Sequence, residues 1–193
     1  MTNSPQVEYV EHVLFPFLHR HFRLSTDQLI AKTLKPGFWP KGGGVFNATI
    51  PALPSGQALP SVDVTDRGEI FRLCGVISHQ GTSRQSVSVL QNTAIETLRS
   101  EESIAQLPSD RITIYGLDPP KTSRDKTGHA LVLWAETSTG CIIGGSAIGK
   151  KGADCSTTGR EAAEDLLRNL RHGGCVDEYL QVRIFQDIGF SCD

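Results

Sequence analysis

One amphipathic helix constrains the fold of this chain more than any other feature. Ahead of His172-Gly173, the residues Ala162, Ala163, Leu166, Leu167 and Leu170 recur at helical spacing on one face. Such a stripe must lie on another apolar layer. The preceding sequence supplies that layer. Ala130 to Ala135 and Cys141 to Ile148 are β-prone runs, and Thr137-Ser138-Thr139-Gly140 between them predicts a hairpin. Upstream, Ile70 to Ser78 reads as a strand. Val87, Leu90, Ala94 and Leu98 form a second helical stripe ending near Glu101, and Arg111 to Tyr115 is a short β run. The order over residues 67–173 is therefore β-α-β-β-β-α. It predicts a small α+β layer structure with helices on one face of a sheet. Glu164 and Arg168 are spaced to form an i,i+4 ion pair. Gly173 supplies the left-handed residue that ends the last helix.

The first 60 residues read differently. Ser4-Pro5 is a helix start, followed by an apolar face of Val10, Val13, Leu14, Phe17 and Leu18. Pro16 is expected to kink or interrupt that helix. Asp27 to Lys35 predicts a strand, with Leu29 and Ala31 alternating against Gln28 and Lys32. Val45 to Ile50 predicts its return strand across Pro36-Gly37 and Pro40 to Gly44. Residues 51–66, with Pro51, Pro54 and Pro60, mark a domain boundary. Residues 118–128 form a polar loop.

Composition narrows the class. With 193 residues the chain can bury a real core. It carries 19 basic and 21 acidic residues, a net charge of −2, so no global basic excess advertises nucleic-acid coating. The five cysteines (Cys74, Cys141, Cys155, Cys175 and Cys192) form no C-x-x-C pair and are odd in number. That speaks against a zinc site or a disulfide framework and for reduced thiols. No secretory signal is visible, and no apolar run approaches the roughly 20 residues of a bilayer span. The sequon at Asn47 is expected to be silent.

Four groups of residues bear on chemistry. Gly144 to Lys151 nearly matches a phosphate-binding P-loop, but Lys151 replaces the hydroxyl residue that would hold magnesium. The run through Ile148 alternates like a strand, so a strand end followed by a basic turn is the better reading. Pro40-Lys41-Gly42-Gly43-Gly44 is a glycine-rich loop with one cation, read alone as a hairpin or interdomain turn. His12, His19, His21, His79, His129 and His172 match no local nucleophile signature, and no metal site is expected. Asp177-Glu178-Tyr179 reads as a polar helix start after a turn, and the Tyr179 ring has a face that can stack on a base.

Several segments, in order, resemble signatures of the RNA 3′-terminal phosphate cyclase family. Thr2-Asn3 and Pro5-Gln6-Val7-Glu8-Tyr9 resemble its Gly-Gly-Thr-Asn…Ala-Pro-Gln-x-Asp-Tyr segment. Phe38 to Gly44 resembles aromatic-aromatic-Pro-Lys-Gly-Gly-Gly. Ala135 to Cys141 with Gly145-Ser146, Gly159 to Leu170, and His172 to Gln181 continue the series. The resemblance spans about residues 2 to 181, which corresponds to the middle of a family member. It implies part of a large domain of β-α-β-α-β-β repeats (residues 1–60) and a thioredoxin-like inserted α+β domain (67–173). Residues 174–193 would be a truncated return to the large domain with an atypical tail.

The resemblance also implies a chemistry. Such proteins use ATP and a divalent cation such as Mg2+ to convert an RNA 3′-phosphate to a 2′,3′-cyclic phosphate. The path runs through an adenylylated histidine and an RNA-adenylate. Splitting one hard step in this way makes chemical sense. RNA 3′ ends are then the partner, with no membrane involved. The place is intracellular, in the nucleoplasm with the cytoplasm as an alternative. Carried over residue by residue, the adenylate pocket has its proline at Pro5 and its tyrosine at Tyr179. The family's next two pocket residues, Asp and Gln, are Val182 and Arg183 here. The Thr-x-His nucleophile segment lies beyond Asp193, and Met1 stands where the family has Gly-Gly. The chain as it stands is therefore expected to lack cyclase activity. Two rivals accompany this reading: an inactive cyclase-like protein of small-subunit ribosomal RNA processing, and a lone insert-like module that would leave Val10, Val13, Leu14 and Phe17 exposed.

Overall fold

The computed structural model describes residues 6–25, 29–38, 42–52, 55–56, 58–117, 128–149 and 154–182. Its centre is a four-stranded mixed sheet. β3 (Ile70–Gln80), β4 (Ile112–Gly116), β5 (Gly128–Thr137) and β6 (Ile142–Ile148) lie in the order β4-β3-β5-β6. A two-stranded hairpin of β1 (Ile30–Lys35) and β2 (Val45–Thr49) stands apart from it. β3 and β4 are parallel, joined through α3 (Arg84–Arg99) and the short α4 (Glu102–Ala105). β5 is antiparallel to both β3 and β6. The element order predicted for residues 67–173 is the one observed, with α5 (Cys155–Arg171) closing it.

β3 and β5 are buried almost continuously, over 73–80 and 129–135. An antiparallel sheet with one wet face would alternate instead, so these strands are covered on both sides. One face packs on α3 and α5. Leu73, Ile77, Leu131, Leu133 and Ile143 meet Leu90, Ala94, Leu98, Ala162, Ala163 and Leu166 there. The two helices touch closely because position 159 has no side chain: a Cβ on Gly159 would lie 2.4 Å from the Leu90 carbonyl oxygen. α3 is capped by Ser83, whose hydroxyl accepts from the Ser86 N–H at 3.0 Å. Gly173, with φ of 77°, follows the end of α5.

The opposite face carries Cys74, Val76, Val132, Trp134 and Ile142, and the N-terminal helix covers it with Tyr9 and Val13. That helix is continuous through Pro16. α1 (Val7–Tyr9) runs into a π-helical turn (Val10–Leu14) and then α2 (Phe15–Phe22). The Phe15 N–H reaches back to the Val10 carbonyl, and Pro16 falls in the first turn of α2, where a missing N–H costs least. The expected interruption is thus replaced by one widened turn. The helix stops at Arg23, which is left-handed with φ of 55°. Ser4 and Pro5, the predicted start, lie outside the described residues; the helix begins at Val7 with Gln6 as its cap.

Two further expectations are corrected. Val13 and Phe17 are almost fully buried, so this helix face is not an exposed patch. Arg168 pairs with Asp165 and reaches Glu178 at 3.6 Å; among the described residues it makes no pair with Glu164. Residues 51–66 contain no strand or helix among those described. Val62 and Val64 nevertheless pack on Phe17, Phe22 and Leu180. Cys74, Cys141, Cys155 and Cys175 carry free thiols.

Filling the space at position 159 tests the contact between the two helices. Gly159→Ala is expected to cost about 1–3 kcal/mol through forced separation of α3 and α5, read from the urea midpoint.

Candidate functional site

The sheet ends in a row of small and apolar residues at one corner. Ser78 on β3, Ala130 on β5 and Ile148 on β6 are cross-strand neighbours and form the floor of a cavity of about 410 Å³. Gln6, Val7 and Glu8, at the start of the N-terminal helix, form one wall. The β1–β2 hairpin forms the other, through Thr33, Lys35, Phe38 and Phe46. Thr33 and Phe46 are opposite each other across the two strands, next to a register shift between Thr33 and Lys35.

Glycine builds this second wall. A Cβ on Gly37 would lie 2.2 Å from the Gly44 backbone nitrogen, so the two chain segments pass closer than any side chain allows. Phe38 rests on the sheet because Gly128 lacks a side chain there; a Cβ would meet the Phe38 ring at 2.3 Å. Trp39, Pro40 and Lys41 of the predicted loop lie outside the described residues.

The cavity is lined by polar groups with few partners. Glu8 is only 6% exposed, and its carboxylate accepts a hydrogen bond from the Ser78 hydroxyl. The Gln6 Oε1 and Thr33 Oγ1 atoms are buried and make no hydrogen bond. Lys35 is half-buried and takes part in no salt bridge among the described residues.

Beside Glu8, at the next residue Tyr9, a second polar group joins three segments. Asp177 is 1% exposed. Its carboxylate accepts from the Tyr9 hydroxyl at 2.6 Å, from the Gly144 N–H at 2.8 Å, and from the Leu180 and Tyr179 N–H groups at 3.0 and 3.1 Å. Asp177 is therefore the cap of the short helix over 178–182, as the polar helix start predicts. Burial pushes its carboxyl upward, and the hydrogen bonds from Tyr9, Gly144, Leu180 and Tyr179 oppose that push. Burial, then the neighbouring Asp177 charge, holds the Tyr9 hydroxyl far above the ordinary phenol range, so it stays a donor. Asn169 Nδ2 donates to the Gly144 carbonyl at 2.9 Å, so both polar groups of that peptide segment are satisfied.

The residues singled out from sequence fall around these two features unevenly. Pro5 and Arg183 lie outside the described residues, although Gln6, next to Pro5, lines the cavity. Tyr179 is half-buried, with its ring edge-on to Tyr9 at 5.8 Å, and is not part of the cavity wall. Val182 is 51% exposed. Gly144 to Ile148 is β-strand, as expected of the near P-loop, while Lys150 and Lys151 lie outside the described residues. His12 stacks on Trp134 at 4.6 Å, and burial lowers its pKa. His129 Nε2 and the Thr158 hydroxyl share a hydrogen bond of 2.9 Å, and His21 packs on Phe17. None of the six histidines lines the cavity. Among the described residues, no three His, Cys, Asp or Glu side chains cluster as a metal site. Glu8 and Ser78 escape a sequence reading because they are 70 residues apart and each looks like an ordinary surface polar residue.

Comparison with known proteins defines the class. The insert domain of RNA 3′-terminal phosphate cyclase (RTC) matches residues 65–171, more than half of the chain. The chain belongs to the RNA 3′-terminal phosphate cyclase family. It is 29% identical over 181 residues to the RNA 3′-terminal phosphate cyclase of Caldivirga maquilingensis, covering 93% of this chain and 48% of that protein. Against the RNA 3′-terminal phosphate cyclase of Drosophila melanogaster it is 31% identical over 183 residues, covering 92% and 46%. It is also 27% identical over 175 residues to the rRNA processing protein rcl1 of Schizosaccharomyces pombe, covering 91% and 46%. The chain spans about half the length of these relatives.

Removing the Tyr9 hydroxyl tests the role of the Asp177 junction. Tyr9→Phe is expected to cost about 1.5–3 kcal/mol, the range for a hydrogen bond to a charged group. Urea unfolding measures it, and a cost below about 0.5 kcal/mol would place the bond among surface contacts.

Proposed function

We propose that this chain is a portion of an ATP-dependent RNA 3′-phosphate cyclase of RNA processing, and that the portion by itself does not catalyse cyclisation. The observation that carries the reading is the ordered series of family segments from Thr2 to Gln181, within a chain whose residues 65–171 match the family's insert domain. On this reading residues 1–60 are part of the large domain of β-α-β-α-β-β repeats. Residues 67–173 are the thioredoxin-like insert, and 174–193 return towards the large domain. The exposed apolar side chains of β1, Ile30 and Leu34, are consistent with a sheet that continues in the longer proteins. RNA 3′ ends are the proposed partner and the nucleoplasm the proposed site of action. Among the described residues, no helix is long and apolar enough to cross a membrane.

ATP and Mg2+ enter only through the resemblance, and among the described residues those at the matching positions do not complete an adenylate pocket. Val182 is an exposed apolar side chain where the family has a carboxylate, and Tyr179 is engaged edge-on with Tyr9. Catalytic groups that act as a unit fail together, so a partial set is not expected to give partial activity. The second reading, a cyclase-like factor in ribosomal RNA processing, is favoured by the Schizosaccharomyces pombe relative, whose identity is close to that of the cyclases.

The test is incubation of a 3′-phosphorylated RNA with ATP and Mg2+, followed by analysis of the RNA terminus. This chain is expected to form no 2′,3′-cyclic phosphate. A version continued after Gln181 with Asp-Gln and the family's Thr-x-His segment, and preceded by the glycine-rich segment, is expected to form it. Cyclisation by the 193-residue chain would overturn the reading, and silence of the continued version would favour the ribosomal RNA factor.

A further inference from the structure

We propose that the cavity between the N-terminal helix, the glycine-rich hairpin and the sheet corner binds a guanine base carrying a phosphate. Its volume, about 410 Å³, lies within the roughly 300–1,000 Å³ of small-molecule sites. A nearly buried carboxylate with a single hydrogen bond is the feature that demands a ligand. Glu8 holds the Ser78 hydroxyl and makes no salt bridge among the described residues. Buried carboxylates are ordinarily paired or multiply hydrogen-bonded. The Gln6 Oε1 and Thr33 Oγ1 atoms are buried beside it without a partner, the first an acceptor and the second a hydroxyl that can donate or accept.

The Glu8 carboxylate is therefore an acceptor that asks for donors. The cavity also offers the aromatic side chains of Phe38 and Phe46 and one cation, Lys35. Among the RNA bases, only guanine places two N–H donors side by side on its Watson–Crick edge, N1–H and N2–H, which match the two oxygens of one carboxylate. Adenine and cytosine set one donor beside an acceptor, and uracil sets one donor between two acceptors. Bases held outside a helix are recognised by such edge contacts together with aromatic stacking. Lys35 gives the attached phosphate a counter-charge, which a purely cationic ligand would not tolerate. Base recognition stands without the cyclase reading; its assignment to the terminal nucleotide of an RNA rests on it.

Calorimetric titration of the 193-residue chain with GMP, AMP, CMP and UMP tests the proposal. GMP is expected to bind at least about tenfold more tightly than the other three, and Glu8→Gln is expected to abolish that preference. Lys35→Ala is expected to weaken GMP while leaving guanosine unchanged, which keeps the test open should Glu8→Gln disturb folding. Circular dichroism of each variant reports on the fold. Equal affinities, no binding at millimolar concentration, or a guanine preference that survives Glu8→Gln with the fold intact would each overturn the site. Tighter AMP binding would also overturn it, in favour of an adenylate pocket. The arms with short RNAs ending in guanosine or adenosine 3′-phosphate separate the sources. A gain of tenfold over GMP for the guanosine end assigns the site to RNA, and no gain assigns it to the free nucleotide. Failure of the cyclisation assay leaves the GMP titration unaffected, so the two readings fail separately.

Discussion

The buried Asp177 carboxylate is the interaction on which this arrangement depends. It receives donors from the N-terminal helix through Tyr9, from β6 through Gly144, and from the short helix it caps through Tyr179 and Leu180. Tyr9 and Asp177 are 168 residues apart. A carboxylate taken out of water is costly unless its oxygens are well supplied with donors, and this one has four. The same residue thus caps one helix and holds another on the sheet. Gly144 permits the approach: a Cβ there would lie 2.6 Å from the Tyr9 ring.

With the N-terminal helix held in place, the sheet is covered on both faces over residues 73–80 of β3 and 129–135 of β5, while the edge strand β4 keeps Tyr115 exposed. α3 and α5 cover one side, while Tyr9, Val13 and the ring of His12 cover the other. Registering the helix start against the end of the sheet also places Glu8 on Ser78 and Gln6 beside the hairpin. The cavity is therefore a product of packing between segments from either side of residues 51–66. Neither segment forms it alone. This links the Asp177 junction, a matter of stability, to the cavity, a matter of binding.

Much of the fold is legible in the sequence. The stripe around Leu166 and the β runs flanking Thr137 to Gly140 place α5, β5 and β6, and the order β-α-β-β-β-α follows. Periodicity reports which residues are buried but not what buries them, so the sequence does not reveal the partners of Val13 and Phe17. Pro16 does not interrupt the helix, because the π turn ahead of it removes the clash that would break it. Arg168 takes its i,i+3 neighbour Asp165 and the more distant Glu178 instead of the i,i+4 partner Glu164. Family likeness brings Pro5 and Tyr179 to attention, yet the group nearest a ligand-binding chemistry is Glu8. Its role comes from contacts across 70 residues, which no local pattern encodes.

Native-state hydrogen exchange tests the central claim, that the N-terminal helix and the sheet form one cooperative unit. Amides of 10–20 are expected to exchange with the same protection as those of β5, and the Gly144 amide to be protected with them. Fast exchange over 10–20 alongside a protected sheet would contradict it, because the helix would then be an accessory layer and the cavity would lack a stable wall.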